Sequence, residues 1–541
     1  MTRTHSPIRH PIATLATLLF STAAMAGGAD NPSLSAASLG FAGASSAAAN
    51  NPDTIYYNPA GMVRIKRATV SNGLTLISAK LDVRDDGTTR VQDPRQPPCS
   101  DGNGNCLKPE NPNDPGTFLP GFQPIPNLYV VKPVSDTVTV GLGVFTQLGA
   151  KVAYKSGWFG SGFLEKGSVE SVTINPSLAL RFDDKHSIGL GIAVEAMRVR
   201  QQAGVDVEQS SKYITEAILR DANSAGLLGI PLGQVIPLGD LYSQLLPGPG
   251  KDLLGAVLLQ SSNIGGKASI SYEGFGAGLG WNAGYLYQLD EQTRFSLAYR
   301  SRIDTRVKGE FDWDLSKLTG TVPNLQDLSK TSDAKDYITD YYRPDADGRT
   351  TVIDPERLSL GFFHSPTPQW DVMADVSWAG QSAVQELRLR IADRKDPDGN
   401  TVSQGDAVIP QHWRDTYRIS VGSAYKVNEQ LTLKAGFAYD QSPVHNARYR
   451  HPGGPDSDRK VLAIGSQLKL PAHVVLDAGY NLLLLADAKS RYHESCTINY
   501  FERPDNSVGP KDECTANGGD FRATYSNGRV HVLSFSLTKP L

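Results

Sequence analysis

Ten histidines, four cysteines and fifty-six carboxylates are available for chemistry, yet few stand at spacings that make a reactive site. Covalent catalysis needs a nucleophile with a base held beside it. No Gly-x-Ser-x-Gly elbow presents such a serine. The glycines of Gly274-Phe275-Gly276-Ala277-Gly278 are spaced like a phosphate cradle, but they sit in a strand pattern with no helix following. Tight packing explains them better. The cysteines fall in two local pairs, Cys99 with Cys106 and Cys496 with Cys514. In an oxidising compartment these are expected to close two disulfides; the alternative is metal binding, which the spacings do not suit. We therefore expect no enzyme, no metal and no cofactor. Non-covalent binding is the chemistry that remains.

The elements that would position a binding site show period-two hydrophobicity. From His473 to Asp487, Val474, Leu476, Ala478, Tyr480, Leu482 and Leu484 share one face, opposite Asp477, Gly479 and Asn481. Leu431, Leu433, Ala435, Phe437 and Tyr439 oppose Thr432, Lys434, Gly436 and Asp440. Phe295, Leu297 and Tyr299 oppose Ser296, Ala298, Arg300 and Arg302. Successive strand side chains point to opposite faces, and a barrel wall needs one face for lipid and one for the lumen. This reading reconciles 40% hydrophobic residues and a mean hydropathy of −0.30 with a membrane protein, since only alternate residues meet lipid. There is no apolar run long enough for a transmembrane helix. The net charge of −3 gives no case for nucleic acid binding.

Residues 1–26 read as a signal peptide. Arg3 and Arg9 precede an apolar stretch from Ile12 to Phe20, and Ala24-Met25-Ala26 offers a cleavage site. Residues 27–66 are rich in Ala, Ser, Gly and Asn, which suits a lumen-filling plug; a disordered tail is the bland alternative. Residues 67–541 would form the barrel. Six connections are short and carry turn residues, around Pro133–Asp136, Asp183–Lys185, Asp290-Glu291, Pro366–Pro368, Asn428-Glu429 and Pro471-Ala472. Seven are longer, near 84–121, 149–168, 206–267, 313–352, 394–409, 443–459 and 490–521. Six turns and seven loops join fourteen strands, with both chain ends on the short-turn, periplasmic side. Trp370, Trp378, Trp413, Tyr417 and Tyr425 lie where aromatic girdles belong; ordinary strand packing is the alternative.

The third loop is unusually apolar and includes Leu245, Leu246, Leu253 and Leu254. It could form a groove that captures apolar ligands, or the loops could pack on one another.

Several blocks resemble the FadL-type outer-membrane transporters of long-chain fatty acids, a family that includes importers of aromatic hydrocarbons. They are Asn58-Pro59-Ala60-Gly61, the hairpin from Phe275 to Arg300, Ser377-Trp378 with Gln385–Arg388, Trp413–Arg418, Ala438–Val444 and Pro455–Arg459. The resemblance covers most of the mature chain and implies a fourteen-stranded antiparallel barrel plugged by residues 27–66, with Asn58, Pro59, Ala60 and Gly61 in the hatch. It implies passive import of long-chain fatty acids or similar hydrophobic molecules and sideways release at a kink in the third strand, here Thr137 to Gln147. Gly141 and Gly143 would leave room for that kink. The family's basic pocket residues match Arg198 or Arg200, and Arg388, although a lumen Arg could equally anchor the hatch. The C-terminus, Thr538-Lys539-Pro540-Leu541, departs from the family's aromatic ending. The expected location is the outer membrane. A monomer is expected, with outer-membrane lipids, the hydrophobic ligand and the barrel-assembly machinery as partners. A general aqueous porin and a barrel enzyme are the competing classes. The apolar third loop and the small-residue plug count against the porin.

Overall fold

In this computed structural model the described residues are 35–86, 89–91, 122–155, 157–205, 265–323, 331–341, 345–397, 399, 401–402, 406–494 and 519–541. The signal peptide, all four cysteines and the third-loop leucines Leu245, Leu246, Leu253 and Leu254 lie outside them.

The wall is a closed barrel of fourteen antiparallel strands in chain order. The first seven are β1 (Thr69–Asp85), β2 (Gln123–Pro133), β3 (Val138–Phe145, resuming at Gly149–Ala153), β4 (Lys166–Arg181), β5 (His186–Val205), β6 (Gly265–Gln288) and β7 (Thr293–Arg300, then Ile303–Thr319). The second seven are β8 (Ala346–Asp354, then Arg357–Thr367), β9 (Trp370–Ala379, then Glu386–Ile391), β10 (Asp406–Pro410, then Thr416–Lys426), β11 (Leu431–Asp440), β12 (Arg459–Lys469), β13 (Val475–Leu485, then Ala488–Glu494) and β14 (Gly519–Pro540). β14 pairs with β13 and returns to β1, with Thr69 opposite Pro540. Closure leaves no free edge running the height of the sheet. Among the described residues no helix is long and apolar enough to cross a membrane.

The six short turns fall where the sequence puts them, and side-chain chemistry shows why. Asp183 Oδ1 accepts the N–H groups of Lys185 (2.8 Å) and His186 (2.7 Å). Asp290 does the same for Gln292 and Thr293, and Asn428 for Gln430 and Leu431. Each side chain mimics a backbone turn and fixes the register of its hairpin.

Alternation sorts the two faces. Leu190, Ile192 and Val194 are exposed on the outside of β5, while Ala193 and Glu195 are buried inside. On β9 and β10, Trp370 lies opposite Tyr425 and Trp378 opposite Tyr417. These two aromatic pairs are eight residues apart, about 27 Å along the strand at roughly 3.3 Å per residue. With barrel tilt that approaches the height of a lipid-facing band. One face assignment changes. The register of β6 with β7 slips by one residue between Arg300 and Arg306. Arg300 is therefore buried, while Arg302 is exposed and paired with Asp304. A bulge inserts one residue and flips every later side chain.

The N-terminal segment is compact. It holds two short helices, α1 (Ala36–Leu39) and α2 (Thr54–Tyr57), followed by a 3-10 turn over Pro59–Arg64. Ser35 Oγ caps α1 through Ser38 N, and Asn58 Oδ1 caps the 3-10 turn through Ala60 N at 3.0 Å. Pro59 supplies a preset φ at the first helical position. Nearly every residue from Ser35 to Val63 is buried.

Candidate functional site

The N-terminal segment is fastened to inward-facing wall side chains. Arg294 donates to the carbonyls of Ala47 and Ala48, both at 3.0 Å. Asp375 accepts from the N–H groups of Ser45 (3.0 Å) and Ser46 (2.9 Å). Arg418 reaches Ala42 O at 2.7 Å, Lys434 reaches Ala37 O at 3.1 Å, and Asn282 reaches Ile55 O at 3.2 Å. The segment's own sheet-less backbone groups are thus satisfied by wall side chains, and the bonds to Arg294, Asp375, Arg418 and Lys434 are strong because those groups are charged. In the Asn58-Pro59-Ala60-Gly61 block, Asn58 Nδ2 donates to Tyr285 O on β6 at 3.0 Å. Gly61 packs so closely on Ala49 that an added Cβ would stand 2.6 Å from the Ala49 methyl.

Between this segment and strands β6 to β11 lies a partly open cavity. Tyr56, Tyr57, Arg300, Arg357 and Arg418 are among its lining residues, with Asp375 and Asp440 beside them. Arg418 is paired with Asp440 at 3.1 Å, and Arg357 Nη1 donates to Tyr56 Oη at 2.7 Å. Arg300 is different. Its Nη2 donates to Tyr56 O at 3.0 Å and its guanidinium stands 4.4 Å from the Tyr56 ring centroid. Its Nη1 is buried without a hydrogen-bond partner among the described residues. A buried charged donor left unmatched is costly. A carboxylate placed in the cavity would satisfy it.

The wall beside this cavity is incomplete. Six residue pairs join β2 to β3, from Leu128–Val144 to Pro133–Thr139. Above them, Gln123 to Asn127 of β2 pair with β1 alone. β3 breaks at Thr146–Leu148 and resumes as Gly149–Ala153, paired with β4. A stretch of β2 and β3 therefore faces its neighbour without backbone hydrogen bonds. Pro124 and Pro126 lack the N–H groups that a ladder needs, and they are the signal that sequence reasoning missed. Gln147, inside the break, is buried and donates to Asp354 of β8. Phe145 ends the paired part of β3, stacked on Tyr129 and 5.3 Å from the Tyr56 ring.

Two expectations are corrected by geometry. Gly141 and Gly143 face the lumen but are fully paired with β2 and β4. They admit the N-terminal segment: a Cβ at Gly141 would stand 2.5 Å from Met62 Sδ and 2.9 Å from Ile55 Cδ1. The break comes a few residues later. Arg198 and Arg200 do not face the lumen, because Met197 and Val199 take the inner side of β5. They share the outer face with Ile192 and Val194, where Arg198 pairs with Glu273. Arg388 likewise lies opposite in face to the inward Leu389 and pairs with Glu386 at 2.7 Å and Asp406 at 3.3 Å. Extending the alternation from Leu190 through Ile192 and Val194 would have placed Arg198 and Arg200 correctly. Arg300 was assigned to the lumen by alternation but not to the ligand.

A closed fourteen-stranded barrel with a lipid-facing outer surface and a polar lumen defines an integral outer-membrane protein. The chain belongs to the outer membrane protein transport family (OMPP1/FadL/TodX), whose model matches residues 17–508. It is 27% identical to outer membrane protein P1 of Haemophilus influenzae over 456 residues, 83% of this chain and 84% of that protein. It is 25% identical to the long-chain fatty acid transport protein of Escherichia coli K12 over 475 residues, 87% of this chain and 90% of that protein. Among solved structures, a Pseudomonas aeruginosa FadL homologue matches with a TM-score of 0.65 at 20% identity, covering 95% of this chain and 99% of that one. The Pseudomonas putida toluene transporter TodX matches with a TM-score of 0.55 at 15% identity, covering 91% and 94%. The family members are outer-membrane transporters of hydrophobic compounds, and so is this chain.

Proposed function

We propose that the protein imports long-chain fatty acids passively. The apolar third loop captures the ligand, the cavity at Arg300 holds its carboxylate, and the N-terminal segment acts as a hatch that closes the axial route. The ligand then leaves sideways between β2 and β3. One observation carries this reading: Arg300 offers an unmatched buried donor in a cavity lined by Tyr56 and Tyr57, close to Phe145 at the end of the paired wall. Such a lining suits a ligand with an apolar body and one anionic end. Arg357 and Arg418 raise the local positive charge, and Asp375 is already committed to Ser45 and Ser46. Affinity would grow by about 0.8 kcal/mol for each buried CH₂, so chain length should dominate. No chemistry and no energy source in the chain are needed.

The test is binding by the purified protein of oleate, oleyl alcohol and toluene, with wild type and Arg300→Met compared. Losing a charged hydrogen bond of about 1.5–3 kcal/mol should weaken oleate roughly ten- to hundredfold and leave oleyl alcohol nearly unchanged. If toluene binds as well as oleate and Arg300→Met changes neither, an aromatic hydrocarbon is the cargo.

A further inference from the structure

The outer surface of β5 to β9 carries a feature that ligand import does not use. On β7 the outward residues beyond the bulge are Arg302, Asp304, Arg306 and Lys308. Register places Arg198 opposite Phe275, Phe275 opposite Lys308, Lys308 opposite Arg349, and Arg349 opposite Arg390. One row across five strands thus holds four cations and one phenylalanine. Directly opposed side chains have Cβ atoms about 4.5–5.5 Å apart, and like charges there repel. Lys308 with Arg349, and Arg349 with Arg390, are such pairs. Arg306, Lys308 and Arg349 are exposed and make no ion pair among the described residues. The nearby pairs are local: Arg302 with Asp304, Arg198 with Glu273, and Arg390 with Asp406 at 3.9 Å. Glu273, Glu310 and Asp347 form the next row toward the long loops, where Glu310 faces both of the others. They border the cationic row on its solvent side.

The row also meets the lipid-facing wall. Phe275 is half exposed within it, with the Arg198 guanidinium 5.2 Å from its ring, and Leu279 lies outward on the same strand toward the membrane. The long-loop end of the barrel is extracellular, so these cations stand where the apolar wall gives way to the headgroup layer of the outer leaflet.

We propose that Arg306, Lys308, Arg349 and Arg390 form a binding site for the phosphate groups of an anionic lipid in the outer leaflet, with its acyl chains against Phe275 and Leu279. Three things on this surface select that occupant. Phosphate complements the adjacent unpaired cations Arg306, Lys308 and Arg349 and accepts several N–H donors at once. The site is continuous with the lipid-facing surface. The protein resides in the outer membrane.

The experiment uses the full chain in detergent and titrates bis-phosphorylated lipid A, its dephosphorylated form and inorganic phosphate, read by native mass spectrometry. Each cation near a charged membrane surface contributes about 1 kcal/mol, so the triple variant R306Q/K308Q/R349Q should bind lipid A about a hundredfold more weakly. The double variant K132Q/K469Q, at the short-turn rim, should bind as wild type does, since Lys132 lies opposite Val140 and Lys469 opposite Val475. Dephosphorylated lipid A should bind wild type as weakly as the triple variant binds lipid A. That arm needs no substitution. Equal binding of both lipids by wild type, or undiminished lipid A binding by the triple variant, overturns the proposal. Complete displacement by inorganic phosphate overturns the lipid assignment in favour of a free-anion site.

Discussion

Lys151 Nζ donates to Gln123 Oε1 at 3.3 Å, across the stretch where no backbone hydrogen bond joins β2 to β3. One side-chain contact spans what a ladder normally closes. A partly exposed hydrogen bond of this kind contributes about 1 kcal/mol, so it separates at little cost. The same gap lies next to Phe145 and Tyr56, and through them the Arg300 cavity. In the proposed function, capture, binding and release follow this one path.

If the N-terminal segment is the proposed hatch, its charged anchors should hold it. Replacing Asp375 with Ala leaves the N–H groups of Ser45 and Ser46 without acceptors, and Arg294→Met frees the Ala47 and Ala48 carbonyls. Each unmatched buried group costs about 1–3 kcal/mol. The double variant should fold as a barrel and show frequent large-conductance openings in planar bilayers, as should deletion of residues 27–60. A double variant no leakier than wild type would show that these bonds do not hold a gate.

Gly141 tests close approach of the N-terminal segment. A Val there would drive a side chain into Met62 and Ile55. We expect Gly141→Val to destabilise the docked segment by about 1–3 kcal/mol, the usual cost of overpacking. The readout is leak conductance alongside unfolding of a fluorophore-labelled N-terminal segment in urea. An unshifted midpoint would mean that the segment yields freely at this contact.

Acid should loosen the connection between β11 and β12. His451 is buried there, packed edge-on against Tyr492, and its Nδ1 accepts the N–H of Gly453 at 2.9 Å. Burial pushes its pKa down to about 3, from an ordinary value near 6.5. The depressed folded value means that stability is fully present above pH 6.5 and is lost as pH falls from there toward 3. Hydrogen exchange across residues 443–458, corrected for intrinsic rates, should show less protection at pH 4.5 than at pH 7. His451→Phe should remove most of that difference. Equal protection at both values in wild type would contradict this account.

Much of the barrel was legible in the sequence. Asp183, Asp290 and Asn428 mark their turns because the side chain makes the turn. The lipid-facing positions of β11 and β13 follow from alternation because one face meets only hydrocarbon. Two things were hidden. Arg302 was misplaced because a single bulge between Arg300 and Arg306 reverses the faces, and nothing in its local pattern announces the extra residue. Arg198, Arg200 and Arg388 were misplaced because both faces of the wall are polar toward the long loops, where a charge no longer tells inside from outside. The cavity was hidden for another reason. Arg300, Arg357 and Arg418 come from three different strands, and only the closed sheet brings them together. The wall gap was half visible, in Pro124 and Pro126.

The central claim is that cargo leaves through the wall between β2 and β3. Gln123 and Lys151 are replaced by Cys in a background where the four native cysteines are Ser, and cells are treated with a short bis-maleimide. Uptake of radiolabelled oleate is then measured before and after treatment, beside oleate binding by the purified, crosslinked protein. We expect the crosslink to stop uptake while leaving binding intact, and each single-Cys control to import normally after the same treatment. Unchanged uptake by a fully crosslinked barrel would contradict lateral release and return the route to the barrel axis.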